Sequence, residues 1–210
     1  MRKRFLSHGT RADNAAVAAR LIGHATATAR RAGVEMVCVD SAQQAGATFG
    51  ERLAGAVRAT FARGYEHLLI IGNDCPQLGA AALRRAVAAV RATGAVLGPA
   101  ADGGVYLLGI SRALFEGGSW LGLPWQTRRL GAALRRQLRG QGATVQQLPA
   151  LADIDDEQGL ARALRQPLAR PLRRALRRLR APERPAVLAW RRPAARGGVA
   201  ARPHRGPPAH

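Results

Sequence analysis

The sequence predicts an α/β fold built on a mainly parallel sheet with helices on both faces. Segments of helical periodicity alternate with short apolar runs as far as about residue 166, the pattern of strand–helix–strand units. The run His67-Leu68-Leu69-Ile70-Ile71 is apolar at successive positions after its histidine, as strands buried on both faces are. At 210 residues and 47% hydrophobic content, the chain can bury one substantial core. Only 4% of it is aromatic, so that core is expected to be mostly Ala, Leu and Val.

The elements follow in order. Asp13 or Asn14 is positioned to cap a helix over residues 15–31, with Val17, Leu21, Ile22 and Ala25 on one face and Gly33 ending it. Val34–Asp40 reads as a strand with few exposed positions. The polar loop 41–48 leads to a second helix from about Gly50 to Arg63, stopped by Gly64. His67–Ile71 is the next strand, and Pro76 and Gly79 punctuate the turn into a helix over Ala80–Thr93. Ala95–Leu97 and Val105–Ile110 read as strands around the Asp102-Gly103-Gly104 turn. Residues 114–124 are irregular, Thr127–Arg139 helical, Thr144–Leu148 a strand, and Asp155 or Asp156 caps a helix ending near Leu164. Residues 1–166 are therefore expected to form one domain. Residues 167–210 form an Arg/Pro/Ala-rich tail, with a short amphipathic helix over Pro171–Arg180 and disorder beyond Pro182.

Composition narrows the function classes. Cys38 and Cys75 are too few for a disulfide framework or a zinc knuckle, and the five histidines have no ligand spacing. No apolar run reaches the roughly 20 residues of a spanning helix, and the basic start lacks the apolar core of a signal peptide. A cytoplasmic protein is expected. The net charge is +20, but residues 168–210 hold 12 Arg against Glu183 and so account for +11 of it. The +9 that remains suits a protein handling phosphorylated ligands, and nucleic acid is not expected as a partner.

Two turns carry chemistry. Ile71-Gly72-Asn73-Asp74-Cys75-Pro76 places Asp74 just past the carboxyl end of a strand, where α/β sheets place ligands. Gly98-Pro99 followed by Asp102-Gly103-Gly104 brings a second acid to a turn whose glycines admit close backbone approach. A hard divalent cation bridging protein and diphosphate takes such carboxylates. An Asx turn at Asp74 and a hairpin turn at Asp102 are the structural alternatives. Asp153 and Asp155 alternate around Ile154 and can point to one side of an extended segment, or cap the helix that follows.

The chain resembles the GT-A-like transferases known as radical-SAM/selenodomain-associated transferase 1, some of which are called arsenosugar-biosynthesis glycosyltransferases. The residues that carry the resemblance are, in order, Phe49-Gly50-Glu51-Arg52-Leu53, Ile71–Pro76, Gly98-Pro99 with Asp102–Gly109, Trp125-Gln126-Thr127 and Asp153-Ile154-Asp155. The resemblance covers about residues 12–165. The family opens with a full hydrophobic strand and a basic nucleotide loop, whereas here only Met1–Leu6 precede the helix region. The resemblance thus implies a three-layer GT-A sandwich, of the nucleotide-diphospho-sugar transferase kind, with its first strand missing or shortened. Val105 departs from the family's usual Tyr and is expected to adjust pocket shape only.

The resemblance also implies a metal-dependent glycosyltransferase taking a nucleotide-diphospho-sugar donor and a small-molecule acceptor. Asp74 and Asp102 would be catalytic, and Asp74, Asp102 and Asp155 would hold Mg²⁺ or Mn²⁺. Substrate would be bound by Gly50, Arg52, Gly72, Asn73, Gly103, Gly104, Trp125 and Thr127. Two other readings stand beside it. One is a nucleotidyltransferase of the same fold, releasing pyrophosphate. The other is an inactive basic module using the Arg-rich tail on nucleic acid or an anionic membrane. Donor, acceptor and oligomeric state are open at this level.

Overall fold

A computed structural model describes residues 4–39 and 43–180. The elements are α1 (Arg11–Ala32), α2 (Phe49–Phe61), β1 (His67–Ile71), α3 (Ala80–Thr93), β2 (Gly94–Pro99), β3 (Val105–Ser111), α4 (Arg112–Glu116), α5 (Leu130–Gly140), β4 (Thr144–Gln147), α6 (Glu157–Arg165) and α7 (Arg170–Arg180). The four strands form one sheet in the order β1-β3-β2-β4.

Helix starts follow local chemistry. Thr10, not Asp13 or Asn14, caps α1, and Asp13 returns a bond to the Thr10 amide in a capping box. The same box recurs at α2 between Thr48 and Glu51. Asp156 caps α6 by accepting from the Gly159 amide at 2.7 Å.

The sheet corrects the expectation of a mainly parallel one. β1 and β2 each pair antiparallel with β3, and only β2 and β4 are parallel neighbours. The reason is chain length: residues 100–104 alone join β2 to β3, whereas a parallel crossover needs about a dozen or more residues. β3 therefore inserts between β1 and β2 in the opposite sense. The directions of β1, β2 and β4 still agree, so their carboxyl ends share one sheet edge.

Two strand expectations change. Val34–Val39 makes no ladder, and Glu35, Met36 and Cys38 are exposed; Asp40 lies outside the described residues. The segment has strand-forming side chains but no strand to pair with among the described residues, and β propensity acts mainly through such neighbours. β1 is not a buried parallel strand: it lies at the sheet edge, and all four of its large apolar residues are half-buried. Of the residues before α1, Arg4 makes an isolated bridge to Asp156, while Phe5 and Leu6 are buried.

Alternation along the central strands feeds two cores, giving three layers. Ala95, Leu97, Leu108 and Ile110 pack with Val57 and Phe61 of α2, Phe115, Trp120, and Leu134 and Leu138 of α5. Val96 and Leu107 face the other way, against Leu83, Ala86 and Val90 of α3 and Ala29 of α1. A third cluster joins Val17 and Leu21 of α1 to Leu160 of α6 and to Leu172 and Leu176 of α7. Leu172 and Leu176 of the expected tail helix are thus buried against α1 and α6, with Leu179 partly buried, while the disorder expected beyond Pro182 falls outside the described residues.

Candidate functional site

The shared edge of β1, β2 and β4 gathers the acids. After β4 the chain continues beside β2, with the Leu151 amide bonded to the Pro99 carbonyl at 3.1 Å and the Ala101 amide to the Leu151 carbonyl at 2.9 Å. It then reaches β1's exit, where the Ile154 amide donates to the Asp74 carbonyl at 2.9 Å. Ile154 is fully buried, which leaves its neighbours Asp153 and Asp155 on the other side of the extended segment. One carboxylate oxygen from each of Asp102, Asp153 and Asp155 lies within 4.8 Å of the others.

Of the acids that the sequence singles out, the structure brings Asp102, Asp153 and Asp155 together. Asp102 and Asp155 meet as expected, Asp153 completes the group, and the Asp74 carboxylate stands outside it. Asp74 contributes its backbone carbonyl, which anchors the Asp153–Asp155 segment. The alternation around Ile154 was the signal for Asp153.

The electrostatics of the group favour a positive ligand. Burial raises the Asp153 carboxyl to about 6, helped by its side-chain hydrogen bond to Asp155 and by the nearby charges of Asp155 and Asp102. Three oxygen donors of this kind fit a hard cation such as Mg²⁺ or Mn²⁺ and not a thiophilic one.

Supporting residues hold the acids in place. Asp102 accepts from the Gly104 amide at 2.8 Å, so its turn geometry and its membership of the acidic group coexist. Gly103 has φ +93°, and a β-carbon there would run into the Arg128 carbonyl. The Gly131 amide donates to the Gly103 carbonyl at 3.0 Å, which seats the first turn of α5 on the acidic turn. A β-carbon on Gly72 would come within 2.7 Å of the Asp74 carboxylate; Asn73 is exposed beside it. Burial lowers the pKa of the His24 imidazole of α1, against the raising influence of the Pro76 backbone.

The remaining expected residues make structural contacts of their own. Arg52 donates to the Gly46 and Ala47 carbonyls at 3.3 and 3.2 Å. A β-carbon on Gly50 would lie 2.6 Å from the Trp125 ring, so the glycine admits the indole. Trp125 also contacts the Phe49 ring and donates to the Trp120 carbonyl at 2.7 Å. Thr127 bonds the Pro124 carbonyl at 2.7 Å and receives the Arg129 amide at 3.2 Å. Between them Gln126 has φ 59°, a left-handed conformation uncommon for a residue with a side chain. Gly50, Trp125, Arg128 and Gly103 thus form a continuous mechanical link from α2 to the acidic turn.

A three-layer α/β fold with acids gathered at one strand-end edge defines the class, and a solved structure shares the fold. The "putative nucleotide-diphospho-sugar transferase" of Desulfovibrio desulfuricans G20 matches over 80% of this chain and 84% of its own, at 20% identity and a TM-score of 0.65. Rv0371c of Mycobacterium tuberculosis H37Rv is also similar, at 22% identity over 70% of this chain and 84% of its own, with a TM-score of 0.45. No curated protein matches. The chain belongs to the family described as "Uncharacterized protein conserved in bacteria (DUF2064)", which matches residues 6–122. That span includes Asp74 and Asp102 and ends before Trp125, Asp153 and Asp155. Among the described residues no helix is long and apolar enough to cross a membrane.

Proposed function

We propose that this chain is a metal-dependent transferase using a nucleotide-activated donor, and specifically a glycosyltransferase acting on a nucleotide-diphospho-sugar. The observation that carries the reading is the convergence of Asp102, Asp153 and Asp155 within 4.8 Å at the sheet edge where β1, β2 and β4 end. The shared fold supports it, since the neighbour from D. desulfuricans is described as a nucleotide-diphospho-sugar transferase. The narrower resemblance to radical-SAM/selenodomain-associated transferase 1 belongs with the same reading.

Asp102, Asp153 and Asp155 would hold Mg²⁺ or Mn²⁺. When bound, the cation supplies positive charge against the diphosphate, whose negative charge grows as the donor bond breaks. The Asp74 carbonyl keeps the Asp153–Asp155 segment in register with the Asp102 turn. The glycines at 103 and 104 let backbone approach the ligand, and Trp125 with Thr127 borders the acceptor side.

The test is a thermal-shift screen of nucleotide sugars with and without Mn²⁺, followed by product analysis. Stabilisation by a nucleotide sugar only with metal, lost in Asp102→Asn, and release of nucleoside diphosphate are expected. Release of pyrophosphate would assign the chain to nucleotidyl transfer instead, and indifference to all donors would refute a transferase.

A further inference from the structure

The third core cluster turns α7 into a rigid display of positive charge. At about 100° per residue, Leu172, Leu176 and Leu179 fall on one side of the helix, and the first two are buried against α1 and α6. Arg170, Arg174, Arg177 and Arg178 fall on the opposite side within a stripe roughly 100° wide, and all four are exposed. The other two arginines of the helix are engaged elsewhere. Arg173 donates to the Gln166 carbonyl at 2.7 Å, and the charge of Arg180 acts on Glu157. Among the described residues no acid pairs with any of the four. α6 packs against α7 and adds exposed Arg162 and Arg165.

We propose that the outer face of α7 binds the phosphate backbone of a nucleic-acid duplex, independently of any transferase activity. Charge complementarity is the first ground: arginines 170 to 178 extend over about 12 Å of helix, a length in which B-DNA presents roughly seven negative charges. The buried leucines are the second. A helix that adsorbs to a bilayer must insert its apolar face, and here Leu172 and Leu176 are already committed to the core. The third is composition. Single-strand binding sites stack bases on aromatic rings, and α7 has none. A convex arginine stripe without aromatics reads phosphates and not sequence.

The test titrates a fluorescent duplex of about 20 base pairs with the full chain, across about 50 to 200 mM salt. Comparison is with a quadruple Gln variant (Arg170→Gln, Arg174→Gln, Arg177→Gln, Arg178→Gln) and the matching quadruple Lys variant. Residues 181–210 contribute six further arginines to every protein, so the difference between variants is what is read. Four lost phosphate contacts should flatten the slope of log K against log salt by about 3 to 4, while Lys should preserve it. Unchanged binding by the Gln variant overturns the proposal, as does loss of binding in the Lys variant. Tighter binding by wild type to a single strand of equal length, or to phosphatidylserine-containing vesicles, overturns the choice of a duplex. Far-UV circular dichroism confirms that the variants keep the wild-type helix content.

Discussion

Asp153→Asn separates a cation site from three acids that merely lie together. In the folded chain the Asp153 carboxyl is raised from 3.8 to about 6, first by burial and then by Asp155 and Asp102. The native state therefore prefers the proton. Its contribution to stability is complete below pH 3.8 and is lost as pH rises through about 6. Two pKa units correspond to about 3 kcal/mol, but the carboxyl is only half-buried, and solvent screening reduces this to about 1 kcal/mol. Asparagine keeps an N–H for Asp155 and removes the charge. In EDTA at pH 8 the variant should melt about 2–4 °C above wild type, and near pH 4 the two should coincide. Saturating Mn²⁺ should reverse the order, since a ligand at about 100 times its Kd adds roughly 2.7 kcal/mol to the protein that binds it. Differential scanning calorimetry over both pH values, with and without metal, measures all of this. A variant no more stable than wild type at pH 8, or one that keeps the full Mn²⁺ shift, would refute the assignment.

Gly50→Ala should drive a methyl into the Trp125 indole, which cannot retreat because its N–H is held by the Trp120 carbonyl; a loss of about 2 kcal/mol, or about 4–8 °C in Tm, is expected by thermal melting. Gly103→Ala places a β-carbon against the Arg128 carbonyl at φ +93°. It should lower Tm and also weaken Mn²⁺ binding by calorimetry, because the turn that moves carries Asp102. Leu176→Ala opens a cavity at a fully buried position between α1 and α7, and urea unfolding should show a loss of about 2–5 kcal/mol. No change there would mean that α7 is an appendage to the domain.

Much of the helical framework was legible because caps and breakers are local. Gly33, Gly64 and Gly94 stand with positive φ at or just past the ends of α1, α2 and α3, where only backbone freedom decides. Strand pairing was less legible, because it depends on which segments become neighbours. Val34–Val39 and His67–Ile71 have similar apolar character, yet only the second finds a partner, in β3. The direction of β3 could have been read from the five residues that precede it, since no crossover fits that length.

The site divides in the same way. Asp102, Asp153 and Asp155 were identifiable as candidates from turn chemistry and alternation, which are properties of short segments. The exchange of the Asp74 carboxylate for that of Asp153 was not, because it follows from one long-range hydrogen bond, Ile154 amide to Asp74 carbonyl. That bond fixes the segment in a register with Ile154 facing the core. A shift of one residue would turn Asp153 and Asp155 inward and present Ile154 to the acidic turn. The cluster therefore depends on a buried isoleucine as much as on its carboxylates. Gly50, Arg52 and Trp125, expected as ligand contacts, carry structural contacts of the same kind. A chain segment that must hold an acid in place near a sheet edge needs the same glycines and aromatics that a binding pocket does.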